Sequence, residues 1–115
     1  MSDLADFLYA RITEDERAAS AAEHAEPWPD APAALAAHLA RWAPARVLAE
    51  CEAKRENVER HSAFSVPQQN SGGIATACLT CAGVDDSPTD WPCDTLRSIA
   101  LPYSDHPDYL DEWRP

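Results

Sequence analysis

Apolar residues recur at helical spacing along most of the chain and predict a succession of short helices. The first helix runs from about Asp3 to Glu23, and its apolar face consists of Leu4, Phe7, Leu8 and Ile12. Ser2 or Asp3 can cap its start, because short polar side chains accept the free N–H groups of a first turn. The alanine-rich end of this helix has high helix propensity but little surface to bury.

Two further helices follow the Pro27–Asp30 break. Asp30 is a suitable cap for a short second helix that carries Leu35, Leu39 and Trp42. Pro44 fits the first turn of a third helix that runs to about His61. The apolar stripe of this third helix consists of Val47, Leu48, Cys51 and Val58. Because the stripe continues by three residues to position 61, we expect His61 to point toward the buried side.

The C-terminal part is also predicted to be helical, after a long stretch without periodicity. Ser62–Ala77 has no clear period, and Pro67–Gly73 and Asp85–Asp90 are predicted to be loops. From Trp91 onward, Leu96, Ile99 and Ala100 share one face until Pro102. A last short helix is expected from Asp105, with an apolar stripe of Tyr109, Leu110 and Trp113.

These elements predict one mostly α domain over residues 1–115, with four to five short helices. The four tryptophans are expected to fill or rim its small core, where large aromatic rings contribute most area, and the alternative is that one of them anchors an interface. They are Trp28, Trp42, Trp91 and Trp113.

The charge balance narrows the classes of partner. Acidic residues outnumber basic ones 20 to 9, so the formal net charge is -11. Such a chain repels phosphate backbones, which excludes direct binding of nucleic acid and suits either a basic protein partner or solubility alone. The start of the chain lacks a basic and apolar leader, and no stretch reaches the ~20 apolar residues of a membrane span. We therefore expect a cytoplasmic protein, whose cysteines stay reduced.

Three cysteines form the clearest chemical signal. Cys78 and Cys81 are separated by two residues, so one tight turn, with Gly83 close behind it, can present both thiolates to a single metal ion. Cys93 follows Pro92 at the start of a predicted helix, whose N-terminal dipole lowers a thiol pKa. Sulfur-rich tetrahedral coordination selects zinc, so we expect a structural Zn²⁺ site: a zinc-knuckle-like Cys-x-x-Cys turn plus a cysteine at a helix N-terminus.

The fourth ligand has three candidates. His61 comes first, because it lies on the inward stripe of the third helix. His106 is second, and Cys51 is third because a mid-helix cysteine among aliphatic residues usually packs as a small hydrophobe. Four protein ligands close a site, which makes it structural and not catalytic.

Enzymatic alternatives have less support. A thioredoxin-like redox motif requires a strand before the first cysteine and a helix that starts there. The residues after Cys81 instead indicate a loop. His-Glu-x-x-His, phosphate-binding glycine loops and Gly-x-Ser-x-Gly elbows are all absent from the sequence.

Several segments resemble a family of uncharacterised short proteins, a domain of unknown function encoded by actinobacteria and their phages. The matching segments are Asp3–Leu8, Pro44–Glu50, Glu52–Arg55, Pro92–Arg97, Ala100–Tyr103, His106–Tyr109 and Glu112–Pro115. The resemblance implies a similar ligand set, since some relatives carry a histidine after the third helix, Cys-x-x-Cys and Pro-Cys. Other members lack the cysteines, so the resemblance does not imply that metal binding is common to the whole family. Relatives usually have an aliphatic residue at the position of Cys51, which favours a core role for it.

The functional hypothesis is a small zinc-stabilised adaptor or regulator that binds another protein. One alternative is an acidic mimic of nucleic acid that blocks a DNA- or RNA-binding protein. A thiol redox or metal-dependent enzyme is the other alternative, and the missing motifs disfavour it. Oligomeric state cannot be deduced from the sequence.

Overall fold

A computed structural model of the chain describes residues 3–26, 28–67, 74–78, 80–81 and 91–115. Its helices and strands are, in chain order, α1 (Leu4–Ala22), α2 (Ala33–Arg41), α3 (Pro44–Arg60), β1 (Ala63–Pro67), β2 (Ile74–Cys78) and α4 (Asp94–Ala100). Single 3-10 turns at Leu101–Tyr103 and Asp111–Trp113 follow α4. The described part of the chain is therefore mostly helical, as predicted, with a small sheet that was not predicted. Of the loop expected over Pro67–Gly73, Pro67 instead ends β1 and the other residues lie outside the described ones. The acidic loop over 85–90 and Gly83 also lie outside the described residues.

The core is built on α1. The Asp3 carboxylate caps this helix by accepting the Asp6 N–H at 2.9 Å. The four residues of the predicted apolar face are all buried: Leu4, Phe7, Leu8 and Ile12. They pack against α3, where Cys51 and Val58 are buried, and against Leu96 and Ala100 of α4. The helical period therefore identified the core face correctly.

Polar contacts also join α3 to α1. The Arg55 guanidinium donates to the Glu16 carboxylate at 2.5 Å and to the Thr13 hydroxyl at 3.3 Å. Both ends of the ion pair are about one-third exposed, so its contribution to stability is small, about 1 kcal/mol or less. The pair mainly fixes how the two helices are aligned.

The C-terminal segment wraps around Phe7 without forming the expected last helix. The predicted helix from Asp105 is replaced by turns, and the 3-10 turn at Asp111–Trp113 is the only helical piece of this segment. Tyr109 and Trp113 are buried with ring centroids 6.0 and 5.1 Å from that of Phe7. Leu110 is 45% exposed, so the predicted apolar stripe was wrong for this residue. Aromatic contacts with α1 thus decide the path of this segment.

Within the stretch predicted to have no clear period, β1 and β2 pair as the two antiparallel strands of a hairpin. Its register pairs Ala63 with Cys78 and Pro67 with Ile74. Strands of five residues without a clear polar–apolar alternation give no periodic signal in the sequence. They are stabilised by hydrogen bonds to the partner strand.

The second helix is peripheral. None of its residues is buried, and Trp28, Leu39 and Trp42 are 61, 46 and 45% exposed. The prediction that all four tryptophans fill or rim the core is therefore wrong for Trp28 and Trp42. Asp30 does not cap α2, because the helix begins only after Pro32, which disfavours helical geometry in the residue before it.

Among the described residues, none of the helices has the length and apolar character that crossing a membrane requires.

Candidate metal centre

The hairpin brings the end of α3 to the Cys-x-x-Cys turn. His61 is the C-terminal cap residue of α3, two residues before β1. Because Ala63 pairs with Cys78, the last residue of β2 lies beside the start of β1. The inward direction of His61, predicted from the α3 stripe, then places its imidazole against the Cys78 thiol.

The turn after β2 is tied to the same helix end. The Thr80 hydroxyl donates to the backbone carbonyl of Arg60, the last residue of α3. Cys78 is fully buried and Cys81 is half-buried. This turn therefore presents two thiols, three residues apart, to the side where His61 lies.

The third cysteine comes from the start of α4. Cys93 is the N-cap residue of this helix and is buried. Two hydrogen bonds of Trp91 hold the segment that leads to it: the indole N–H donates to the His61 carbonyl at 3.0 Å, and the backbone N–H donates to Thr76 at 3.2 Å. Sequence reasoning missed these roles of Trp91 and Thr80. The Trp91-Pro92 pair directly before a candidate ligand was the available signal.

The four candidate ligand atoms form a compact tetrad. The His61 Nδ1 atom lies 3.3 Å from the Sγ of Cys78, 3.5 Å from that of Cys93 and 3.6 Å from that of Cys81. All four ligand atoms lie within 4.8 Å of one another. In a tetrahedral site with metal–sulfur bonds of about 2.3 Å and metal–nitrogen bonds of about 2.05 Å, the nitrogen–sulfur edge is about 3.6 Å. The three nitrogen–sulfur distances therefore match this edge, and the four residues lie close enough to hold one metal ion.

The thiols oppose one another's ionisation. Burial and the neighbouring thiols raise the pKa of Cys81 to about 12 and also raise the pKa of Cys93. Burial acts in the same direction on Cys78, but the backbone N–H groups of Cys81 and Thr80 outweigh it and lower its pKa. One thiolate is thus favoured, whereas three together require a cation to balance their charge. The expected lowering of the Cys93 pKa by the start of α4 is overridden by burial.

The two alternative fourth ligands lie elsewhere. His106 packs its ring 5.5 Å from Phe7, and its Nδ1 accepts the Asp108 backbone N–H at 3.0 Å. Cys51 is buried in the core between α1 and α3. Within the described ranges, the one group that can hold a metal ion comprises His61, Cys78, Cys81 and Cys93.

The Cys-x-x-Cys segment does not have the thioredoxin-like arrangement at the residues described. A strand does lead to Cys78, where no regular structure was predicted, but Thr80 lies in a turn and not in an α-helix. The helix that such a motif starts at its first cysteine is therefore not formed at this position. The loop predicted after Cys81 lies outside the described residues.

Comparison with known protein families assigns the chain to one of them. A model of a family of unknown function (DUF6221) matches residues 1–115, so the chain belongs to this family. No curated protein and no solved structure matches it.

Proposed function

We propose that this chain is a small zinc-stabilised domain that acts as an adaptor or regulator by binding another protein. The observation that carries the zinc assignment is the set of three nearly equal distances, 3.3 to 3.6 Å, from His61 Nδ1 to the three sulfurs. Three thiolates and one imidazole form a soft ligand set that suits zinc better than magnesium or calcium.

The ligand set favours a structural role for this ion. Four protein ligands leave no open position for water or substrate. They come from the end of α3, the hairpin, the following turn and the start of α4, so one ion links four parts of the chain. We propose that the protein is not an enzyme and that zinc fixes the path from α3 to α4.

The protein-binding part of the proposal is supported by the surface. Trp28, Leu39 and Trp42 are exposed and line the same pocket of a chain whose net charge is -11. Exposed tryptophans beside polar residues are frequent anchors of protein interfaces. The net charge disfavours direct contact with nucleic acid. We propose a cytoplasmic location, as expected from the sequence, and an origin in actinobacteria or their phages, as the family resemblance implies.

Elemental analysis of matched cysteine variants tests the zinc assignment. We expect one zinc per chain in the wild type and in Cys51→Ser, which keeps the tetrad. Cys93→Ser should lose most of the metal, because three ligands bind zinc far more weakly than four. Two results contradict the assignment. One is an equal amount of zinc in Cys93→Ser and Cys51→Ser, and the other is a lack of zinc in all three proteins.

Reconstitution with Co²⁺ tests the coordination geometry of the site, because the spectrum reports only the protein that has bound the ion. Tetrahedral Co²⁺ bound to thiolates gives intense visible bands and sulfur-to-metal charge-transfer absorption. We expect both signals in the wild type and in Cys51→Ser. An octahedral spectrum contradicts the site.

Affinity purification of the zinc-loaded full chain from its host, followed by mass spectrometry, tests protein binding. A stoichiometric partner that binds directly when both proteins are purified is the expected result. If no protein from the host binds directly to the purified chain, the adaptor proposal is wrong.

A further inference from the structure

An apolar groove lies between α1 and α2, and none of the four tetrad residues lines it. Its volume is about 780 Å³. Its lining combines small side chains, such as Ala18 and Ala22 of α1, with the larger Trp28, Leu39 and Trp42. We call this surface the α1–α2 groove. Its size lies within the range of about 300–1,000 Å³ that binding sites usually have.

The helix that forms one wall of the groove has an uncovered apolar face. Ala36, Leu39 and Ala40 of α2 line the groove at helical spacing, yet no residue of α2 is buried. A surface helix normally buries its apolar face against a neighbour. Exposed apolar patches of this kind mark interaction sites in folded proteins.

The charges at the groove favour a basic occupant. The charged residues among its described lining are Asp15 and Glu26, and neither lysine nor arginine lines it. Asp15 already accepts the Tyr103 hydroxyl, which leaves Glu26, an exposed residue, to pair with an incoming cation.

The arginine that stacks on Trp42 does not itself line the groove. The Arg46 guanidinium lies 4.3 Å from the Trp42 ring centroid and donates to Glu50 at 3.2 Å and to the Arg41 carbonyl at 3.1 Å. It therefore does not neutralise the acidic groups of the groove. Two copies of this chain, each with a net charge of -11, would bring like charges together at this surface, which disfavours self-association.

We propose that the α1–α2 groove binds an amphipathic helix of a partner protein, with lysine or arginine next to its apolar face. A groove between two helices accepts the apolar face of a third through side chains at positions i, i+3 or i+4, and i+7. The basic residue lies at the end of the bound helix near Glu26. This proposal rests on the proposed protein-binding function and specifies its surface and the chemistry of its partner.

Selection from a displayed library of 16-residue helical peptides on the zinc-loaded full chain tests the groove directly. We expect enrichment of peptides with the apolar spacing above and flanking lysine or arginine. For the enriched peptides, Leu39→Glu should weaken the dissociation constant at least about tenfold, because it places a carboxylate in an apolar contact. Leu110→Glu is the matched control, since Leu110 is 45% exposed and Leu39 is 46% exposed. It should leave binding unchanged.

A charge-reversal pair tests the electrostatic part. Glu26→Lys should weaken binding of the same peptides about threefold or more and flatten the dependence on salt, because the complementary charge is lost. Glu112→Lys, at an exposed carboxylate outside the groove, should do neither.

Several results would overturn the proposal. They are an absence of enriched peptides, enriched peptides without basic residues, and equal binding to Leu39→Glu and Leu110→Glu. If the wild type sediments as a dimer and Leu39→Glu sediments as a monomer, the groove binds a second copy of the chain. A host partner that the Leu39→Glu variant still binds would refute the groove while leaving the protein-binding function intact.

Discussion

His61 combines three structural roles in one residue. It ends α3, its carbonyl accepts the Trp91 indole N–H, and its Nδ1 atom faces three sulfurs. The backbone bond matters because it fixes the segment before Cys93 relative to the imidazole. Groups that orient ligands in this way tune metal affinity even though they do not touch the ion.

We therefore predict that Trp91→Phe weakens zinc binding by about fivefold, the equivalent of one hydrogen bond of about 1 kcal/mol. The phenyl ring keeps most of the packing and removes the donor. Competition with a chelator of known affinity measures the change. Trp28→Phe, at an exposed ring far from the tetrad in sequence, should have no effect. Equal affinities of Trp91→Phe and wild type would show that the bond does not organise the site.

Elements of similar composition have different structural roles in this fold. Both α1 and α2 contain leucines among alanines, but α1 buries its apolar face against α3 and α4, whereas α2 leaves its own uncovered. A second link between elements is polar: the Tyr103 hydroxyl donates to Asp15 of α1 at 2.7 Å and accepts the Lys54 ammonium of α3 at 3.0 Å.

The burial difference between the helices predicts unequal costs of the same substitution. Leu8→Ala should destabilise the protein by about 2–5 kcal/mol, since Leu8 is fully buried and leaves a cavity. Leu39→Ala should cost less than about 0.5 kcal/mol, because the side chain stays half in water. Urea unfolding of the zinc-loaded proteins measures both. A comparable cost at the two positions would contradict the peripheral placement of α2.

The Tyr103 network predicts a loss of stability at alkaline pH. Burial, and then the Asp15 carboxylate, raise the pKa of Tyr103 above its ordinary value of 10. The folded state thus holds this proton more tightly than the unfolded state, so the contribution is complete below about pH 10 and is lost as the pH rises toward the folded pKa.

Tyr103→Phe should remove this part of the pH dependence. The free energy of unfolding, measured at pH 8 and pH 11, should fall less between the two values in Tyr103→Phe than in wild type. Subtracting the fall in the variant from that in the wild type removes the contribution of all titrating groups that the two proteins share. An identical fall in both would show that the Tyr103 proton is not held by the fold.

At the scale of the whole molecule, the apolar core and the His61–cysteine tetrad join different parts of the chain. The helix pair α1–α3 is held by buried side chains and by the Arg55–Glu16 pair. The end of α3, the end of β2, Cys81 and the start of α4 meet at the tetrad. A chain of 115 residues has a modest core, so the zinc ion that we propose would add stability comparable to that of the fold itself.

We predict that chelation of zinc releases the C-terminal part first. Hydrogen exchange should accelerate most in Ile74–Cys78 and in Asp94–Ala100, whereas amides in the middle of α1 keep more of their protection. Mass spectrometry of peptides with and without a strong chelator measures the pattern. The Cys93→Ser variant should resemble the chelated wild type, and Cys51→Ser should not. Uniform protection before and after chelation would contradict the role of the tetrad.

The sequence by itself determined the bounds of α1 and α3, the core face of α1 and the direction of His61, because helical periodicity is a local property of neighbouring residues. It also named the four residues that the structure brings together as a group able to hold a metal ion. Only the tertiary structure decided the hairpin, the exposure of Trp28 and Trp42, the roles of Trp91 and Thr80, and the wrapping of the C-terminal segment around Phe7. These depend on pairing between residues far apart in the chain, which leaves no period in the sequence.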